Sequence, residues 1–294
     1  MTPSVRFASA VGLAAVTLMI PLAARALTDQ QKIFVAVADN KGKPVAGLTA
    51  ADFKITIDEP QEVISVEPAT EPASIVLLTD RLGLEQAYGP FDLGRALQDF
   101  VKIIRAKVPG SQFALTTFDG PVVRVVPFSQ AGADLDRVIN RLATNARDSG
   151  IRDALMDACQ TLRTAPTKRK VIFTIFAGYK PDMSTVRTDL VGETLRMCDA
   201  SLWVIEARIT GENSFGNNER EVVVDRGSLF SGGMREIVAS AVGVDTVAKQ
   251  MAELIAAQYL ITYAPGGGTR TSTRKVMVGR TGLKVYAPGW ISNQ

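Results

Sequence analysis

Two short runs limit most what this chain can fold into: Ile75–Thr79 and Val171–Phe176, each almost wholly apolar. A strand without polar alternation has no face to give to water, so it belongs inside a sheet covered on both sides. Amphipathic stretches lie between and after these runs. In Asp92–Val108, Leu93, Leu97, Phe100, Val101 and Ile104 recur at helical spacing. Further helices are expected at Asp134–Ala143, Arg152–Arg163, Thr188–Asp199 and Val244–Gln258, and strands at Leu202–Ala207 and Tyr259–Tyr263. Phe113–Phe118 and Val122–Phe128 flank Asp119-Gly120-Pro121, a hairpin connection. Strands alternating with helices predict an α/β fold, a doubly wound, mostly parallel sheet with helices on both faces.

The two ends read differently. Strands at Lys32–Ala38, Phe53–Ile57 and Glu62–Glu67 open the chain, and strands at Arg274–Val278 and Leu283–Tyr286 close it. An all-β start and finish around an α/β middle predict that the termini meet in one small β unit. The expected division is a leader at 1–26, a β segment at 27–72, the α/β domain at 73–265, and a C-terminal β segment at 266–294 that pairs with the first. Ile209–Gly233, rich in Gly and Asn, reads as a surface loop, and Gly266-Gly267-Gly268 as a hairpin turn rather than a phosphate loop.

The leader has the order of a secretory signal: Arg6, an uncharged run from Ala8 to Ala24, then Ala24-Arg25-Ala26. The run is short and Ala-rich for a membrane span, where about 20 strongly apolar residues are needed. Export is therefore expected, to the periplasm or the medium, with no integral span after cleavage. Removing Arg6 and Arg25 takes 33 basic residues to 31, against 30 acidic ones. That near-neutral balance, with no Lys/Arg stripe interleaved with aromatics, offers nucleic acid no surface.

The chain contains no histidine and two cysteines. Ser-His-Asp and Cys-His chemistry both need an imidazole, and a structural zinc site needs more than two cysteines. No carboxylate pair sits among aromatic platforms, so glycoside hydrolysis is not indicated either. The expectation is a protein that is not an enzyme.

Several stretches resemble the bacterial secreted proteins related to von Willebrand factor A (VWA) domains. They are Val35-Ala36-Val37-Ala38-Asp39-Asn40-Lys41-Gly42-Lys43-Pro44-Val45-Ala46-Gly47-Leu48-Thr49 with Asp52-Phe53, then Ser231-Gly232-Gly233, then Gln258-Tyr259-Leu260-Ile261-Thr262-Tyr263-Ala264-Pro265, and an ending near Gly289-Trp290. The resemblance spans roughly residues 33 to 291. It implies a VWA-like fold and a Mg²⁺ site at the C-terminal ends of the sheet strands, where hard oxygens surround the ion and one position stays open for a partner's acid.

The matching positions here are depleted. Asp80 stands where the first ligand would be, but the two serines of that loop are Leu82 and Leu84. Asp153-Ala154-Leu155 matches the helix start that puts Ser149 at the threonine's place, and Gly178 puts Ala177 at the third-loop aspartate. Asp80 and Ser149 are thus vestigial metal positions, and no cofactor is expected. Mg²⁺ returns only if backbone carbonyls, Asp148 or Glu85 have rebuilt the site. A carboxylate left at a strand end still needs compensation, which Arg81, Arg152 or Lys180 could supply; alternatively Asp80 is exposed or caps the following helix.

These residues make the loop edge the candidate binding surface, with Asp80, Arg81, Ser149, Tyr179 and Lys180 as its members, and another protein as the partner. The readings that compete are metal-dependent adhesion and a structural role in an envelope assembly. Cys159 and Cys198 fall on the core faces of two helices that the expected topology makes neighbours. A disulfide is open to them, and two free buried thiols fit the pattern equally.

Overall fold

The computed structural model describes residues 30–80, 93–129, 132–139, 149–178, 181–208, 218–266 and 272–291. The 1–26 leader lies outside them. Along the chain run β1 (Gln31–Ala38), a single 3-10 turn at Ala50–Asp52, β2 (Phe53–Ile57), β3 (Glu59–Pro68) and β4 (Ala73–Thr79). Then come α1 (Leu93–Lys107), β5 (Gln112–Thr117), β6 (Val123–Ser129), α2 (Gly132–Ile139), α3 (Ile151–Arg163) and β7 (Arg169–Ala177). The remainder is α4 (Thr188–Cys198), β8 (Ala200–Ala207), α5 (Asn218–Ser231), β9 (Met234–Val238), α6 (Ala241–Ala256), β10 (Tyr259–Ala264), β11 (Lys275–Val278) and β12 (Lys284–Tyr286).

β4 is the reason for the first sheet. All seven of its residues are buried, which is possible only with a strand on each side and a helical layer above and below. β5 and β7 pair with it in parallel, Ile75 lying opposite Phe113 and Val171. The full order is β6-β5-β4-β7-β8-β9, with β6 antiparallel at one edge. α1 and α6 cover one face, where Phe100 of α1 stacks on Phe173 of β7 at 4.0 Å between ring centroids. α3, α4 and α5 cover the other. Each fully buried Leu, Ile or Phe in these layers contributes about 1.5–3 kcal/mol of transfer free energy.

The second sheet joins the two ends of the chain in the order β11-β2-β3-β10-β1-β12, antiparallel throughout. Its edge strands β11 and β12 follow one another with only residues 279–283 between them. That connection reaches at most about 18 Å, so the sheet curls until its edges are neighbours. Ile33, Val35, Val37, Ile55, Ile261 and Tyr263 fill the inside. β1 is the seam of the molecule. Its odd-numbered residues face this small core, while Ala36 and Ala38 pack into the α/β core.

Two expectations are corrected. β10, assigned with the α/β part up to residue 265, hydrogen-bonds to β1 and β3 and belongs to the second sheet. Its buried apolar residues Tyr259, Ile261 and Tyr263 alternate, the period of a sheet with one face on a core. The segment Ile209–Gly233 is no continuous loop, since 218–231 is helix α5; residues 209–217 lie outside the description. The buried face of α5 is Arg220, Val223, Val224, Gly227, Ser228 and Ser231. Such a face carries no apolar stripe for periodicity to find. Gly227 is there for close packing: a Cβ would sit 3.0 Å from Leu202 and 3.1 Å from Leu195.

Two tertiary ties reinforce this packing, one within a helical layer and one between the sheets. Cys159 of α3 and Cys198 of α4 form a disulfide with Cα atoms 5.5 Å apart. Arg169, at the start of β7 and 1% exposed, sends Nε to Gln258 Oε1 (3.0 Å), and Nη1 to the carbonyls of Ala69 (3.1 Å) and Glu71 (3.3 Å). Its Nη2 donates to the Ile255 carbonyl in the last turn of α6.

Candidate functional site

The C-terminal ends of the parallel strands form one edge, as a parallel sheet requires. Asp80 directly follows β4, is fully buried, and donates its N–H to the Ile175 carbonyl of β7 (3.2 Å). Ser149 precedes α3, is 4% exposed, and pairs through its backbone with the segment after β7: the Met183 N–H donates to its carbonyl at 2.8 Å. Arg81, Leu82, Leu84, Glu85, Asp148, Tyr179 and Lys180 lie outside the described residues.

Around Ser149 the edge is tied by Arg152. Its Nε donates to Asp182 Oδ2 (2.8 Å), Nη1 to the Val186 carbonyl (2.9 Å) and to Glu219, and Nη2 to the Ser184 carbonyl (3.1 Å). The guanidinium is thus engaged by Asp182 and Glu219. The segment 181–187 becomes a strap across the start of α3. Asp153 secures it further, accepting from the N–H groups of Thr185 (3.1 Å) and Val186 (3.0 Å).

One strand over stands a second charge cluster. Glu206, fully buried near the end of β8, accepts from Arg208 and from Arg235 of β9. Arg235 also donates to Glu221 (2.6 Å) and to Asp225 of α5. Arg208 donates to Glu221 (3.1 Å). Arg220 donates to the Gly178 carbonyl, and its guanidinium carbon lies 5.5 Å from the centre of the Phe176 ring. Room for this cluster comes from Gly178: a Cβ there would collide with the Glu206 carboxylate. The glycine that resembles part of a metal loop serves here to admit a buried acid.

Electrostatics follow from this geometry. Burial lowers the pKa of Arg220, while burial of Arg208 is outweighed by its hydrogen bond to Glu206 together with the charges of Glu206 and Glu221, which raise it. Burial pushes Glu221 up, but the Arg235 hydrogen bond and the charges of Arg235, Arg208 and Arg220 hold it below the usual carboxylate range. A carboxyl depressed in the folded state adds stability above its unfolded pKa and loses it as pH falls through the folded value. Melting temperatures of the wild type and Glu221→Gln should therefore differ above about pH 4.5 and converge in stronger acid. A difference independent of pH would deny that charge is the cause.

The described residues of this edge present few donors for a divalent cation. Ala177, at the aspartate's position, presents a buried methyl group. The acid beside it, Glu206, is already held by two guanidinium groups. Among the described residues no group of three or more His, Cys, Asp or Glu side chains converges as a ligand set. What the described part of the edge offers is a set of paired charges whose outer members include Glu219 and Asp225, each 66% exposed at the side chain.

Sequence reading missed Glu206, Arg208, Glu221, Arg235 and Asp182. One signal was available: Glu206 closes the otherwise apolar run Leu202–Ala207, and a buried acid demands a cation. Nothing in the sequence says which cation.

No protein-family model and no curated protein matches the chain. Among solved structures, the pilus adhesin SpaC from Lactobacillus rhamnosus GG in its open conformation is similar at a TM-score of 0.50 and 9% identity, over 80% of this chain and 42% of that one. A von Willebrand factor type A protein from Catenulispora acidiphila gives 0.48 and 13%, over 91% of this chain and 76% of that one. Proximal thread matrix protein 1 from the mussel byssus, with a zinc-occupied MIDAS motif, gives 0.48 and 16%, over 67% and 49%. The chain thus spans less than half the length of two of these three. Identities this low speak for architecture alone. The fold of the chain is a VWA-like α/β fold, a parallel-rich sheet between helical layers, and a second, antiparallel sheet is present.

Proposed function

We propose that this protein is an exported, non-enzymatic module that binds another protein through the loop edge of its VWA-like sheet, without a metal ion. The observation that carries the reading is a set of internal ion pairs at this edge: Glu206 fills the space beside Gly178 already paired to Arg208 and Arg235, and Ala177 stands where the resemblance would put an acid. A surface whose charges are satisfied internally keeps its shape without a ligand, which spares a binding partner the cost of ordering it. Asp80, Arg81, Ser149, Tyr179 and Lys180 are the residues proposed to frame the contact. The 1–26 segment supplies the export. Among the described residues no helix is long and apolar enough to cross a membrane.

The test is calorimetric titration of the mature chain with Mg²⁺, Mn²⁺ and Ca²⁺, paired with melting curves. A cation present at about 100 times its Kd would stabilise the folded state by about 2.7 kcal/mol. The expected result is no saturable heat and no melting shift at millimolar metal. A saturable shift that disappears in Asp80→Ala would overturn the metal-free reading and install metal-dependent adhesion, with Asp148, Glu85 or backbone carbonyls as the ligands that rebuilt the site.

A further inference from the structure

A cavity of about 260 Å³ lies where the two sheets meet, at the end of the parallel sheet opposite the loop edge. The starts of β7 and β8 form one wall, and β1 and β10 of the second sheet form the other. Ligand sites favour such joints between structural units.

Arg169 lines this cavity and is 1% exposed. All four acceptors of its guanidinium are neutral, three backbone carbonyls and the Gln258 amide. A buried cation without a counter-ion is costly, and among the described residues no carboxylate forms an ion pair with Arg169. Gln258, 2% exposed, lines the cavity too. Its Oε1 accepts from Arg169, which leaves its amide nitrogen as a donor. No acceptor takes that donor among the described residues.

Lys32, Lys168 and Lys170 also line the cavity, against Glu71 and Asp199. None of the three lysines forms an ion pair among the described residues. Four cations over two acids leave a surplus of two positive charges. Phe34, Leu260 and Pro288 contribute apolar surface. An apolar cavity of about 150 Å³ holds benzene, so this one has room for a ring with acidic substituents.

We propose that the cavity binds a small organic dianion, an aromatic ring carrying either two carboxylates or a phosphate monoester. The lysines and the Gln258 amide donate to the acid groups, and the ring packs on Leu260 and Pro288. Arg169 gains the counter-charge that its neutral acceptors do not supply. A ligand held there touches both sheets, so its binding stabilises their joint by mass action. The site is independent of the protein-binding loop edge.

The experiment titrates the full mature chain with phthalate, phenyl phosphate, benzoate, inorganic phosphate and benzylamine, read by calorimetry and by melting temperature. Phthalate or phenyl phosphate should bind saturably, raise the melting temperature and weaken with salt; the tighter of the two names the acid group. Benzoate, with one charge, should bind about tenfold weaker or worse. Inorganic phosphate should do the same for want of a ring, and benzylamine should not bind. Lys168→Glu and Lys170→Glu should each weaken the dianion about tenfold or more. Lys168 is exposed, so its reversal tests the site even where Lys170→Glu does not fold. No saturable binding of either dianion at millimolar concentration, equal binding of benzoate or inorganic phosphate, or indifference to the lysine reversals would overturn the proposal. Any of these leaves the metal-free loop edge standing, since that reading is decided by metal titration.

Discussion

Arg169→Ala is expected to lower the unfolding free energy by about 4 kcal/mol, the range in which removing a buried charge strands its partners. The guanidinium serves four acceptors on two separate pieces of chain: Ala69 and Glu71 on one, Ile255 and Gln258 on the other. Those pieces are the two crossings between the sheets. Residues 69–71 carry the chain from β3 into β4, and residues 255–258 carry it from α6 into β10. Burial lowers the Arg169 pKa to about 10, so the group remains a cation at neutral pH. The negative end of α6, whose last turn holds Ile255, favours that charge. Phe34, with its ring centre 5.7 Å from the guanidinium carbon, adds a cation–π contact.

Truncation would leave buried carbonyls facing a void that no side chain can fill. Lysine keeps the charge but gathers its donors on one nitrogen, so Arg169→Lys should recover only part of the loss. Urea unfolding midpoints at unchanged m give the measurement. A loss under about 1 kcal/mol, as for an exposed pair, would mean that the two sheets are not joined through this residue.

The fold was legible wherever one face of an element had a single chemistry. β4 and β7 announce themselves as doubly buried strands, and α1 by the spacing of Leu93, Leu97, Phe100, Val101 and Ile104, all buried in the structure. α5 was not legible, because its inner face mixes Arg220, two valines, Gly227 and two serines. Its amphipathicity exists only relative to what it packs on: Arg220 reaches Gly178, Gly227 makes way for Leu202, and Ser231 accepts from the Leu202 N–H.

The candidate site follows the same logic. Ala177 and Gly178 could be placed by their likeness to a metal loop, since their position follows from a recognisable strand. The ion pairs that stand there join β8, β9 and α5, residues 206, 208, 221 and 235, and sequence spacing carries no information on such long-range partners. Arg152 was named as a cation of this edge, but its pairing with Asp182 was not legible, because Asp182 sits on the strap and the strap's path is fixed by tertiary contacts with Ser149 and Asp153.

Breaking the Cys159–Cys198 disulfide is expected to cost about as much as losing Arg169. The bond closes a loop with a sequence separation of 39, for which the chain-entropy estimate gives about 4 kcal/mol. In a domain of this size that corresponds to a fall in melting temperature of about 10 °C. Both cysteines are buried, at 0% and 2% exposure, so reductant should act slowly on the native state and quickly once it opens. The closed loop contains β7 and the 181–187 strap that Arg152 and Asp153 hold. Freeing it loosens the segment that frames the loop edge. Cys198→Ala and the double variant with Cys159→Ala should be equally destabilised, because either change removes the same cross-link. Thiol titration of the unreduced chain in denaturant should find no free sulfhydryl, the state that an oxidising compartment maintains and that export of the chain would require. Two titratable thiols, or a Cys198→Ala protein that melts with the wild type, would show that α3 and α4 are held by packing alone, and the strap would then depend on Arg152 and Asp153 for its position.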